Sequence, residues 1–155
     1  MKKIKILNSS LIIFIALGVI SIITNFGMMI YDYQYIEMIY SKSGFGMISF
    51  YIMSGLTFML LLGLYQVQQS FSSFIRNSFF NSKSAKLLKK GGLLLIANGI
   101  LSGLNSMFFF YKTPESIIAN YMMNAMIILI GIGLMAISEI ISKGESIEQE
   151  NLLII

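Results

Sequence analysis

The sequence predicts an all-α membrane protein with four transmembrane helices and an amphipathic cytoplasmic loop between helices 2 and 3. Four long apolar stretches alternate along the chain with loops of unequal charge. The composition is 56% hydrophobic and 12% charged, with a mean hydropathy of +0.79. A soluble domain of this size needs many more charged side chains to cover its surface. Helices are expected because an open sheet cannot satisfy its backbone groups in lipid.

Each apolar stretch is long enough to cross a bilayer, since a hydrocarbon core of about 30 Å requires roughly 20 helical residues. The first three stretches contain no charged side chain, and the fourth contains only Glu139. Lys143 follows at the spacing of a helical surface ion pair. The predicted spans are 11–30, 46–67, 91–111 and 121–141, which together form a single domain over 1–155.

The basic residues predict the orientation of these spans. All but Lys42 and Lys112 of the 11 basic residues lie in the N-terminal segment, the central loop and the C-terminal tail. Basic residues favour the cytoplasmic side, and tyrosines gather at the opposite predicted boundary as in an interfacial aromatic belt. We therefore expect a plasma-membrane protein with both termini and the central loop in the cytoplasm. The net charge of +4 is interpreted as a topology signal, with no direct nucleic-acid binding.

The third span carries the clearest packing pattern. Gly99 and Gly103 have the G-x-x-x-G spacing that lets two helix backbones approach closely. Asn98, Ser102 and Asn105 recur at helical spacing, so they share a face beside the glycines. These polar side chains either hydrogen-bond between helices or line a polar pathway. The lack of an ionisable group at mid-membrane depth favours the first interpretation.

The central loop contains an apolar stripe of helical period, which predicts a helix lying in the membrane interface. The stripe consists of Phe71, Phe74, Ile75 and Phe79. Asn81 or Ser82 is predicted to cap a second helix that runs into the third span. The lysines of that helix face either anionic headgroups or a cytoplasmic partner. They are Lys83, Lys86, Lys89 and Lys90.

The C-terminal tail combines acidic residues with an apolar end. We expect it to fold back over the central loop, with its acids near Lys86, Lys89 or Lys90 and its apolar end against Phe74, Phe79 or Leu87. The reason is that a run of four apolar residues is unusual when left free in water. A free tail that pairs with another protein is the alternative. The tail residues concerned are Glu145, Glu148, Glu150 and Asn151, followed by Leu152, Leu153, Ile154 and Ile155.

The side-chain inventory argues against an enzyme. The chain has no His and no Cys, which removes the commonest general base, the thiol nucleophile and the preferred zinc ligands. No pair of acids is placed at a predicted pocket. We therefore expect no catalytic residues, no metal site and no cofactor.

Two segments resemble a known family. Residues 78–91, SFFNSKSAKLLKKG, are similar to the central element of the DUF2975 family of bacterial membrane proteins, and residues 144–155, GESIEQENLLII, are similar to its C-terminal ending. The chain departs from the family pattern at Phe79, Leu152 and Ile154, where the family has proline, aspartate and threonine. The resemblance implies a four-span layout without an established activity. It also implies a cytoplasmic helix-turn-helix regulator as partner, because members are often encoded beside one.

Two classes of function are therefore open. The first is an interaction or regulatory membrane subunit whose cytoplasmic face combines the basic loop and the acidic tail. The alternative is a small-solute transporter or pore-forming subunit, which is compatible with a homo-oligomer. The lack of charge within the spans favours the first, because transport pathways usually carry an ionisable group.

Overall fold

The fold is built from long helices. A computed structural model describes residues 2–40, 47–76, 81–107 and 114–153, which form five α-helices and no strand. The helices are α1 (Lys2–Tyr31), α2 (Tyr33–Tyr40), α3 (Ile48–Arg76), α4 (Ser82–Ser106) and α5 (Pro114–Leu153). All except α2 are long and apolar enough to cross a membrane. The predicted all-α fold with four membrane-spanning helices is confirmed.

The apolar stripe of the central loop is part of a longer helix. Phe71, Phe74 and Ile75 belong to the last turns of α3, which is continuous with the second predicted span. The expected separate interfacial helix therefore does not form over residues 71–76. No proline or glycine ends the helix after Val67, and Phe74 is buried in a core cluster that stabilises the continuation. Phe79 lies outside the described residues.

The lysine-bearing segment begins as predicted. Asn81 is the N-cap of α4, and its side-chain oxygen accepts a hydrogen bond from the Ser84 backbone N–H at 2.8 Å. This bond satisfies one of the free amide groups at the start of the helix. The helix then continues without a break into the third span and ends at Ser106. Residues 108–111 of the predicted span lie outside the described residues.

A short helix, α2, covers the opposite end of α1 and α3. The Asp32 carboxylate accepts a hydrogen bond from the Tyr35 backbone N–H at 3.1 Å, in the manner of an N-cap. Ile36 is buried, and the Tyr40 ring meets the Phe50 ring edge-on with centroids 5.5 Å apart. Aromatic packing of this geometry stabilises the docked position of α2.

The long helices pack as an antiparallel row in which α1 contacts α3, α3 contacts α4, and α4 contacts α5. Three interhelical hydrogen bonds show which helix ends lie next to one another. The pairs are Gln68–Asn8, Ser70–Ser84 and Ser138–Ala85. The start of α1, the end of α3, the start of α4 and the end of α5 therefore share one end of the row, here called the basic end because α4 carries its four lysines there.

The predicted fold-back of the C-terminal tail is wrong. α5 is one uninterrupted helix from Pro114 to Leu153, so Glu145, Glu148 and Glu150 do not turn back toward the lysines of α4. No proline interrupts residues 139–153, and the single Gly144 costs a helix only about 1 kcal/mol. Ile154 and Ile155 lie outside the described residues.

Candidate functional site

The central helix α4 presents small or polar residues to both neighbours at every seventh position. A seven-residue step returns to nearly the same face of a helix, so each set forms a continuous seam. The seam toward α3 consists of Ser84, Gly91, Asn98 and Asn105, and the seam toward α5 consists of Ala85, Gly92 and Gly99. All seven residues are buried.

The seam between α4 and α5 is the tighter of the two. Its pairs are Ala85–Ser138, Gly92–Gly131 and Gly99–Asn124. The Ser138 hydroxyl donates a hydrogen bond to the Ala85 carbonyl oxygen at 2.7 Å. A Cβ atom on Gly92 would lie 2.6 Å from the Gly131 carbonyl oxygen. The two backbones are therefore in direct contact, as expected where small residues drive helix association in lipid.

The seam between α3 and α4 adds buried polar contacts. Its pairs are Ser70–Ser84, Gly63–Gly91 and Leu56–Asn98. The Asn98 side-chain amide donates to the Leu56 carbonyl oxygen at 2.6 Å, and a Cβ atom on Gly91 would lie 3.0 Å from the Gly63 carbonyl oxygen. Both observations place the α3 and α4 backbones close together.

The residues singled out in the third span therefore have different surroundings. Gly99 contacts α5, whereas within the described residues a Cβ atom on Gly103 would meet only the Asn124 amide nitrogen at 3.9 Å. Asn105 faces α3 with its amide nitrogen 3.1 Å from the Met53 sulfur. Ser102 is half-buried, and its carbonyl oxygen accepts a bond from the Ser106 hydroxyl. The close helix contact thus follows the seven-residue step of Gly92 and Gly99 instead of the G-x-x-x-G pair.

A polar groove of about 520 Å³ lies between α3 and α4 at the basic end. Arg76 and Lys83 line it together with Gln68, Gln69 and Ser72. An adjoining groove on α4 is lined by Lys83, Lys86 and Lys90, while Lys89 is exposed and lines neither. The lining residues described for these two grooves include no carboxylate, so the pair forms a cationic surface, here called the basic groove.

The docking residues predicted from the sequence do not include the α3 residues of the basic groove. Gln69, Ser72 and Arg76 lie on one helical stripe that begins with apolar side chains and ends with a cation. Such a change of polarity along one face is readable from the helical spacing alone.

The predicted docking residues do not come together. The lysines lie on α4, whereas Glu148 and Glu150 are exposed on the end of α5, beyond Ile141, the last buried side chain described on that helix. The helical position of Asn151 belongs to the same extension. Within the described parts of the chain, no three His, Cys, Asp or Glu side chains could hold a metal ion.

These features define an all-helical, multi-pass membrane protein with a basic groove at one end of its helix row. The model of DUF2975, a protein family of unknown function, matches residues 10–155. The chain therefore belongs to the DUF2975 family, and the match includes nearly all of the four long helices. No curated protein and no solved structure matches the chain.

Proposed function

We propose that this protein is an interaction subunit of a bacterial plasma membrane that recruits a cytoplasmic regulator through the end of α5. The observation that carries the proposal is the length of this helix. Ser138 lies level with Ala85, so residues 143–153 extend about 16 Å beyond the N-cap of α4 at the helical rise. A short helical extension is marginal in water unless a surface packs against it. Partner binding supplies such a surface.

The charge of the extension specifies the kind of partner. Glu145, Glu148 and Glu150 give it an acidic character, and the latter two are exposed. A helix-turn-helix regulator carries a basic surface for nucleic acid, which is complementary to an acidic helix. This membrane protein then acts through the regulator, without contacting nucleic acid itself and without enzymatic activity.

The transporter alternative has less support. Buried polar side chains of the spans are occupied in helix packing, since Asn98 donates to α3 and Ser138 donates to α4. The buried amide nitrogen of Asn124 has no partner, but the groove beside it is lined almost entirely by apolar side chains. A solute pathway needs polar groups along its length.

The proposal requires the end of α5 to be cytoplasmic, as the distribution of basic residues predicts. Reporter fusions after Gly144 should therefore report the cytoplasm. Insertions within α2 should report the opposite side, because α2 lies at the far end of α1 and α3. Reporters from the two positions on the same side would contradict the four-span topology.

Site-specific photo-crosslinking in intact cells tests the partner. Ile147 is 58% exposed and lies among the acidic residues of the extension. A crosslinking residue at this position should capture the helix-turn-helix regulator. The matched control is Ile130 in the middle of α5, which is 57% exposed but predicted to face lipid. We expect no regulator there. Glu148→Gln with Glu150→Gln should lower capture at position 147 by roughly two- to tenfold. Equal capture at both positions, or none at 147, would overturn the proposal.

A further inference from the structure

We propose that the protein binds one anionic phospholipid in two grooves that meet at Tyr65. The phosphate group lies in the basic groove between α3 and α4, and an acyl chain lies in an apolar groove between α1 and α3. This site is independent of the regulator proposed above. It rests on the polarity of both grooves and on the side chain that joins them.

The basic groove has the chemistry of a phosphodiester site. Arg76 supplies a planar fork of donors that suits phosphate oxygens, and Lys83 supplies a second cation. Gln69 and Ser72 add neutral polar groups along the same wall. Basic pockets between membrane helices on the cytoplasmic side are the usual sites for anionic headgroups.

The second groove is entirely apolar in its lining and has a volume of about 280 Å³. Ile15 and Val19 of α1 form one wall, and Phe58 and Leu62 of α3 form the other. Among the long helices, the described residues of α1 pack chiefly against α3, so this groove is open along its outer side. Its shape and lining suit a hydrocarbon chain.

Tyr65 is the residue that lines both grooves. Its hydroxyl accepts a hydrogen bond from the Gln69 side-chain amide at 2.6 Å, so the polar tip of the ring is directed toward the basic groove. Tyrosine with one apolar and one polar end is typical of the membrane boundary. The hydrocarbon region and the headgroup region are therefore predicted to meet at this side chain.

The order of side chains along α3 matches the order of groups in a lipid. One helical stripe changes from apolar to polar to cationic as it approaches the basic end. The stripe consists of Phe58, Leu62, Tyr65, Gln69, Ser72 and Arg76. It rises about 27 Å, compared with roughly 20 Å for half of a bilayer including headgroups. A soluble anion would use the cationic part of this stripe and leave the apolar groove unexplained.

Native mass spectrometry of the full chain in detergent tests the proposal. The probes are phosphatidylglycerol and phosphatidylcholine with the same acyl chains, added in equal amounts. We expect one phosphatidylglycerol to be retained in preference to phosphatidylcholine. Replacing Arg76 and Lys83 together with glutamine should weaken this binding on the order of 30-fold, the effect of two headgroup-facing cations.

The matched control is Lys89→Gln with Lys143→Gln, which removes the same charge from the basic end but touches neither groove. This variant should retain the lipid. Ser72→Phe offers a second route, because it fills the basic groove without changing the charge. It should also lose the lipid, and thermal midpoints without lipid will show that each variant is folded.

Three outcomes would overturn the proposal. Equal retention of the two lipids would show that the phosphate charge is not recognised. An equal loss in the Lys89–Lys143 control would show diffuse charge attraction instead of a site. Competition by glycerol 3-phosphate or inorganic phosphate at the affinity of the lipid would assign the groove to a soluble anion.

Discussion

Gly131→Ala should lower the free energy of unfolding of the helix row by about 1–3 kcal/mol, the usual cost of overpacking a close contact. A Cβ atom at this position would lie 2.7 Å from both the Gly92 carbonyl oxygen and the Ile96 side chain. Backbone cannot rotate away as a long side chain can, so α4 and α5 must separate. Gly131→Leu should be more damaging still, because it adds three further carbon atoms to the same contact.

Gly133→Ala is the matched control on the same helix. Apart from its chain neighbours and its own helix backbone, no heavy atom of the described residues lies within 4 Å of a Cβ built there, so the substitution meets open space. Alanine is a better helix former than glycine, and this variant should be neutral or slightly stabilising. Thermal unfolding in detergent micelles measures both midpoints. Equal midpoints for the Gly131 and Gly133 variants would mean that α4 and α5 do not touch at this seam.

Leu88→Ala should produce the second large loss of stability, about 2 kcal/mol. Leu88 is 0% exposed and fills the angle between α3 and α5. Its partners in the buried cluster are Val67, Phe74, Ala85 and Ile141. Removing its side-chain atoms leaves a cavity whose lining loses van der Waals contacts.

Leu93→Ala provides the comparison, since Leu93 lies on the same helix and is 49% exposed. It should change the unfolding midpoint little. If the two alanine variants unfold at the same temperature, then Leu88 is not a core residue and the α3–α4–α5 arrangement is wrong.

The Leu88 prediction concerns the part of the molecule that holds the two proposed binding surfaces in place. The cluster around Leu88 joins the end of α3, the start of α4 and the last buried turn of α5. The basic groove lies beside it, and the helical extension of α5 begins just past it. A loosened cluster should therefore weaken lipid and regulator binding together. The groove variants should affect lipid binding alone.

The membrane class and the number of long helices are readable from the sequence. Hydropathy, span length and missing charge are local properties. They are decisive here because a helix of about 20 apolar residues crosses the bilayer with its backbone groups hydrogen-bonded internally. The start of α4 is also local, since the Asn81 side chain bonds within its own first turn. The resemblance of residues 78–91 and 144–155 to DUF2975 agrees with the family match over 10–155.

Which neighbouring helix each face of α4 contacts was decided only by the tertiary structure. Gly99 and Gly103 have equivalent spacing signals in the sequence, yet among the residues that the structure describes only Gly99 lies against another helix backbone, because Gly92 and Gly131 set the crossing of α4 and α5. The seven-residue step of Ala85, Gly92 and Gly99 is visible in the sequence, but it does not say which helix faces it.

The positions at which α3 and α5 end likewise could not be predicted from the local sequence pattern. Residues 71–76 have the periodicity of an interfacial helix, and the burial of Phe74 against other helices makes them the continuation of a span. The acids and lysines at the basic end suggest mutual attraction, but exposed ion pairs contribute only about 0–1 kcal/mol. Breaking α5 to form them would sacrifice several backbone hydrogen bonds, so the helix continues to Leu153 and carries the acids away from the lysines.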